Sequence, residues 1–222
     1  VVIIGTGDEL APPGTAHLRA DAIPESVTYG VAALASQSGA VVVSRSIGPD
    51  DLAALTAEAG RAINDADVVI VTGGASVGER DFAKPMFAAH GLDLLLPKVA
   101  IKPGKPVWLG RVRETWVLGL PGNPTSAMVT ARLFLLPLLA RLHGQAMADV
   151  LRWRALPLAS PLPATGSRET FTRARLDDGG LTPLSNQDSG AQRALAEADW
   201  LIRCPPDQPA RGAGYAVTAL PF

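Results

Sequence analysis

Residues 67–84 read DVVIVTGGASVGERDFAK. The apolar run from Val68 to Val71, closed by Thr72, has the continuous hydrophobicity of a strand buried on both faces. It stops at Gly73–Gly74, and small and hydroxyl residues, a third glycine at Gly78 and the charged triplet Glu79–Arg80–Asp81 follow. In open α/β sheets, ligands bind outside the carboxyl ends of strands, where glycine lets the backbone approach an anion closely. Two more loops of this character come later, IKPGKP at 101–106 and GLPGNP at 119–124.

Outward from this stretch, the chain alternates. An apolar strand at 1–6 runs into Gly5, Gly7, Asp8 and Glu9. A helical pattern spans 28–37, a strand spans 40–47, and Asp50 is placed to cap a helix running to about residue 64. A short helix over 82–89 follows the central loop. The order strand–helix–strand–helix–strand–helix predicts an α/β fold with a parallel sheet and covering helices. Short strand-like runs at 94–101, 106–111 and 115–120 lead to the longest helix, 124–143. Asn123 sits at its cap, Pro124 at its first position, Pro137 predicts a kink and Gly144 a stop. Beyond residue 148, proline- and glycine-broken runs at 151–158, 169–176, 181–183, 200–204 and 215–220, with one helix at 191–198, predict a small β domain. The expected division is 1–147 and 148–222.

Composition bounds the function. Of 222 residues, 47% are hydrophobic, enough for a sizeable core, and the net charge of −1 argues against a nucleic-acid-binding surface. No wholly apolar stretch reaches the roughly 18 residues of a membrane span, and no signal peptide is visible, so no membrane role and a cytoplasmic location are expected. A single cysteine, Cys204, excludes an internal disulfide, and without a Cys/His cluster no structural zinc site is expected. The chain opens directly on a core strand without an initiator Met, so the C-terminal part of a longer polypeptide is expected.

The candidate residues gather in the loops. Glu9, just past the first strand, is suited to a Mg²⁺ ion that takes one or two carboxylates, and Asp50 is a second candidate ligand; helix or loop capping is the alternative for both. Asp81 is placed either to face a ligand or to cap the 82–89 helix. Lys102 and Lys105 offer two ammonium groups on a proline-stiffened turn, a pattern suited to an oxyanion. Pro121, Gly122, Asn123, Pro124 and Ser126 bring backbone N–H groups and a helix N-terminus to one place, an anion site in its own right. Thr72, Gly73, Gly74 and Ser76 offer backbone and hydroxyl donors for a phosphate. His17, His90 and His143 are scattered, and Trp108 and Trp116 read as core or sheet-face residues.

Four motifs in order, GTGDEL (5–10), GGASVGERDFAK (73–84), AIKPGKP (100–106) and GLPGNPTSA (119–127), resemble the C-terminal half of the MoeA family of molybdopterin molybdenumtransferases, which includes the E domain of gephyrin. RETFTRARL (168–176) is similar to the family's small β domain. The resemblance implies a three-layer α/β/α sandwich with a mostly parallel sheet, followed by a small β domain. It implies insertion of molybdate into adenylylated molybdopterin with release of AMP, aided by Mg²⁺, with Glu9, Asp81, Lys102 and Lys105 as the catalytic set. It also implies a homodimer, a cleft completed by a domain that would precede Val1, and a molybdopterin adenylyltransferase as a partner. Where the family usually has Asp-Ser-Asn, this chain has Glu25–Ser26–Val27, which puts ligand contacts at that loop in doubt. Two other readings stay open: a non-catalytic pterin-binding or scaffold module, favoured by Val27, and a MogA-type adenylyltransferase, disfavoured by the extra β domain.

Overall fold

The computed structural model describes residues 1–73 and 82–222. The first sheet has six strands: β1 (Val2–Thr6), β2 (Ser44–Gly48), β3 (Val68–Thr72), β4 (Asp93–Leu96), β5 (Trp108–Val112) and β6 (Thr115–Leu120). Their order is β2-β1-β3-β6-β5-β4. The β1, β2, β3 and β6 strands are parallel neighbours, while β5 pairs antiparallel with both β6 and β4. The sheet is therefore mostly parallel, as expected.

Alternation along the strands divides the core into two faces. Ile3, Val68, Ile70, Leu118 and Leu120 pack with α1 (Val27–Gln37) and with Ala127, Ala131 and Leu135 of the long helix. Val2, Ile4, Val69, Val71 and Val117 pack with α2 (Leu52–Asp65) and α3 (Pro85–Ala88). Two clusters on opposite faces of one sheet make the three-layer sandwich. Trp108 is 1% exposed, lies edge-on to Phe87, and is seated against Gly119, where a Cβ would clash with its indole ring.

The long helix α4 runs Pro124–Leu142. Its expected kink takes the form of a π-helical segment, Ala131–Leu135, immediately before Pro137, whose missing N–H interrupts the regular ladder. By length and composition α4 passes the test for a membrane span that the sequence reading gave to no segment. However, 56% of its apolar window is buried inside the protein, as for a core helix. A short helix α5 (Met147–Val150) follows.

The second sheet comprises β7 (Arg154–Pro157), β8 (Glu169–Asp177), β9 (Gly180–Pro183), β10 (Trp200–Cys204) and β11 (Ala216–Pro221), antiparallel neighbours in the order β7-β11-β10-β8-β9, with the short Ile101–Lys102 strand joining β8 in parallel as a sixth. Helix α6 (Gln192–Ala196) precedes β10. One sheet face encloses Leu158, Ala174, Leu181, Trp200, Ile202 and Cys204. From the other, Phe171 and Leu201 join the core around α4. The two sheets thus share hydrophobic packing.

Among the boundaries that differ from expectation, three bear on the fold, while the 82–89 helix shortens to Pro85–Ala88 and the 151–158 strand to Arg154–Pro157. The 40–47 strand begins only at Ser44, with Val41 77% exposed at the sheet edge. The 94–101 run ends at Leu96 because Pro97 cannot donate to the ladder, and Ile101–Lys102 instead pairs parallel with β8 of the second sheet. The cap of α2 is Asp51, whose Oδ1 accepts the Ala54 N–H at 2.7 Å, and not Asp50.

Candidate functional site

A cavity of about 540 Å³ opens at the carboxyl ends of β1, β3 and β6. Its floor is Thr6, Thr72 and Gly73, and its back wall is Pro121, Gly122, Asn123 and Pro124, where β6 turns into α4. Gly73 has φ +88, and a Cβ there would lie 2.5 Å from the Thr6 carbonyl oxygen. Gly122 approaches Gly73 so closely that a Cβ on it would lie 3.3 Å from the Gly73 Cα. The two loops therefore meet backbone to backbone: Gly73 must be glycine, and at Gly122 a side chain would press on its neighbour.

The N-terminus of α4 is exposed to this cavity. Thr125 N–H donates to Ser189 O at 3.1 Å, while the N–H groups of Gly122 and Asn123 have no protein acceptor among the described residues. Unpaired N–H groups at a helix N-terminus favour an anion. Asn123 occupies the cap position, but its side chain makes no cap hydrogen bond. Instead Nδ2 donates to Ser189 Oγ at 3.0 Å, linking the helix to the segment before α6.

The rim beside β1 carries the acids. Gly7 has φ +138, and the Glu9 carboxylate folds back over it so that a Cβ at Gly7 would lie 2.6 Å from Glu9 Oε2. Glu9 lines the cavity; Asp50 does not. The Asp50 N–H donates to Asp8 Oδ1 at 3.1 Å, so Asp8 is the residue that ties the two loops together. No group of three or more His, Cys, Asp or Glu is arranged to hold a metal among the described residues. One lining carboxylate still fits a Mg²⁺ ion that takes its other ligands from phosphate and water.

Glu25 and Val27 also line the cavity, and the structure explains both. Glu25 is 2% exposed, and its carboxylate turns into the protein. It accepts the Thr28 N–H at 2.7 Å and Thr28 Oγ1 at 2.8 Å, with Arg45 Nη1 3.5 Å away. It thereby caps α1, while Arg45 stacks 3.4 Å from the Tyr29 ring centroid. Val27 packs into the core shared with α4. An acid and an apolar residue at these positions serve the helix start.

Of the remaining sequence candidates, Gly74, Ser76 and Asp81 lie outside the described residues. Ser126 is buried in the first turn of α4, and its carbonyl accepts Thr130 Oγ1 at 2.7 Å. Lys102 and Lys105 are both exposed and neither lines the main cavity, although Pro106, beside Lys105, does. Lys102 borders a separate cavity of about 390 Å³ with Thr170, Thr172 and Gln187 of the second sheet region. Sequence reading missed Thr6, Leu10, Ile23, Pro24, Pro106, Gly190 and Gln192 in the lining. Gly190 and Gln192 come from the second sheet's connecting segment, and Gln192 Nε2 donates to Ser26 Oγ at 3.3 Å across the cavity mouth.

Comparison with known proteins agrees with this geometry. Residues 2–141 match the family described as "Probable molybdopterin binding domain", and residues 155–222 match the MoeA C-terminal region, domain IV. Molybdopterin molybdenumtransferase 2 of Mycobacterium tuberculosis is 36% identical over 217 residues, 93% of this chain and 52% of that protein. The Haemophilus influenzae molybdopterin molybdenumtransferase is 35% identical over 173 residues, 78% of this chain and 41% of that protein. The crystal structure of a molybdopterin biosynthesis MoeA protein from Pyrococcus horikoshii superposes with a TM-score of 0.83 at 26% identity, covering 100% of this chain and 54% of that one. The chain spans about half the length of the curated relatives it matches.

Proposed function

This chain belongs to the MoeA family, of which it carries the molybdopterin-binding domain and the C-terminal domain IV, and on that premise we propose that it serves molybdenum cofactor biosynthesis. In this reading the cavity holds adenylylated molybdopterin while molybdate is inserted and AMP released. The observation that carries it is the meeting of Gly73 and Gly122 beneath the open N-terminus of α4, where an anion is favoured. Phosphate oxygens would take the N–H groups of Gly122 and Asn123 and the Thr72 hydroxyl, while the Thr6 hydroxyl donates to Thr72 O at 3.3 Å and braces the floor. The apolar wall of Leu10, Ile23, Pro24 and Val27 suits a flat ring system. Glu9 would hold a Mg²⁺ ion, which supplies charge neutralisation at the phosphates when bound; Asp50 is a more distant ligand. Lys102 and Lys105 present mobile positive charge on the turn that leads to Pro106, suited to drawing in molybdate. Gly74, Ser76 and Asp81 complete the proposed set.

A domain division near residues 147/148, a homodimer, a cytoplasmic location and an adenylyltransferase partner belong to the same reading. So does the expectation that these 222 residues bind ligand without completing insertion; full insertion activity from them alone would overturn that part. Val27, the residue that favoured a scaffold role, lines the cavity and also packs into the core beside it. The test is calorimetric titration of the chain with AMP in Mg²⁺ buffer. Gly122→Val, which fills the meeting point of the two loops, should weaken AMP binding at least about tenfold. Wild-type affinity in that variant would refute the site.

A further inference from the structure

Arg173, on β8, is 1% exposed, and no carboxylate lies within ion-pair distance of it among the described residues. Burial lowers its pKa from the ordinary arginine value, and the nearby Asp188 charge opposes this in part. A buried charge without an ionic partner is costly, and an apolar side chain would fill the same space more cheaply. The hydrogen bonds show where the guanidinium acts. Nη1 donates to Thr125 Oγ1 at 3.0 Å, Nη2 to the carbonyls of Asn186 at 3.3 Å and Asp188 at 3.1 Å, and Nε to Gln187 Oε1 at 3.4 Å. Gln187 is held reciprocally, with Nε2 donating to Arg173 O at 2.9 Å.

These bonds converge on one segment, 186–188, and on the first turn of α4. Thr125 continues the grip: its N–H donates to Ser189 O at 3.1 Å and its hydroxyl to Ala191 O at 3.4 Å. The segment so held ends in Gly190 and Gln192, the wall that the second sheet contributes to the cavity. The guanidinium also lies behind the N-terminus of α4. A cation there opposes the helix dipole unless an anion sits in front of it.

We infer that Arg173 is a positioning residue for the anion-binding cavity, fixing the 186–192 wall through Thr125 and adding positive potential behind the α4 N-terminus. Arg173 itself does not line the cavity, so its effect passes through the segment it holds. The inference rests on the proposed anion site and deepens it.

The experiment compares the wild-type chain with Arg173→Met, Arg173→Lys and Thr125→Val, using AMP as the probe. Calorimetry gives affinity, thermal unfolding gives stability, and amide hydrogen exchange reports Ser189–Gln192 against β3. Arg173→Met should weaken AMP binding by about tenfold to hundredfold, and exchange at Ser189–Gln192 should accelerate while β3 stays protected. Arg173→Lys, a point charge without the fork, should restore only part of the affinity. If Arg173→Met fails to fold, Thr125→Val decides: it keeps the side-chain shape and should still loosen the segment and weaken AMP. Folded variants with wild-type affinity and exchange overturn the inference and leave the proposed site standing. A wild-type chain that does not bind AMP overturns both.

Discussion

The two sheets solve the same packing problem with different partners. The first is mostly parallel and covered by its own helices, so both faces are closed by α1 and α4 on one side and by α2 and α3 on the other. The second is antiparallel and closes only one face by itself; its other face sends Phe171 and Leu201 into the core around α4. What a parallel sheet leaves uncovered is the set of carboxyl ends of its strands, and there the cavity forms. What the second sheet lends is one wall, Gly190 and Gln192, just past Ser189, which is bonded to the Asn123 cap position 66 residues earlier. The site is thus a property of the junction between the two sheets.

The largest test of that comparison is Leu201→Ala. Leu201 lies on the second sheet but in the first core and is fully buried, so its truncation should cost about 2–5 kcal/mol. Urea unfolding followed by hydrogen exchange should show both sheets destabilised together. If only the second sheet loosens, the shared core is not a cooperative unit. Next in size is Gly73→Ala, where positive φ and the Thr6 carbonyl oppose a side chain. It should cost about 1–3 kcal/mol and abolish AMP binding, whereas the same substitution at Gly212, where a Cβ meets nothing within 4 Å, should leave binding intact.

Smaller effects separate neighbouring residues. Asp51→Ala should lower stability by about 1 kcal/mol through loss of the α2 cap. Asp50→Ala, whose side chain makes no such bond, should stay within about 0.5 kcal/mol in the same urea titration. The smallest effect lies in the second sheet's own core. Burial raises the Cys204 thiol pKa, with the Thr172 hydrogen bonds opposing. An unfolded thiol ionises near pH 8.5, and the folded one only at higher pH. The thiol's contribution to stability is therefore complete below that pH and is lost as pH rises toward the folded value. Wild type should lose slightly more stability than Cys204→Ala between pH 7 and pH 10 by urea midpoint; equal losses would show a thiol that ionises in place.

Much of this was legible in the chain itself. An apolar run such as Val68–Thr72, ended by glycine, carries both the strand and the place where a ligand approaches, because burial on both faces and close backbone approach each leave a local mark. The start of α4 was legible for the same reason. What local pattern does not carry is side-chain commitment. Asn123 has a capping residue's identity but bonds Ser189, and Glu25 resembles a ligand contact but caps α1. Lys102 and Lys105 are three residues apart around a turn, and only Lys102 borders the second cavity. The Gly190–Gln192 wall left no signal, because its place depends on how the second sheet docks. Arg173 offered no sign, because β8 reads ETFTRARLD and nothing local separates its buried arginine from the exposed Arg175 two residues on.

The central claim, that the junction cavity is the anion site, is tested most directly by titrating the isotope-labelled chain with AMP and following its amide NMR signals. The account predicts shifts concentrated at Thr6, Thr72–Gly73, Gly122–Asn123 and Gly190–Gln192. Shifts gathered instead around Lys102, Thr170 and Gln187 would contradict it and move the site to the second cavity.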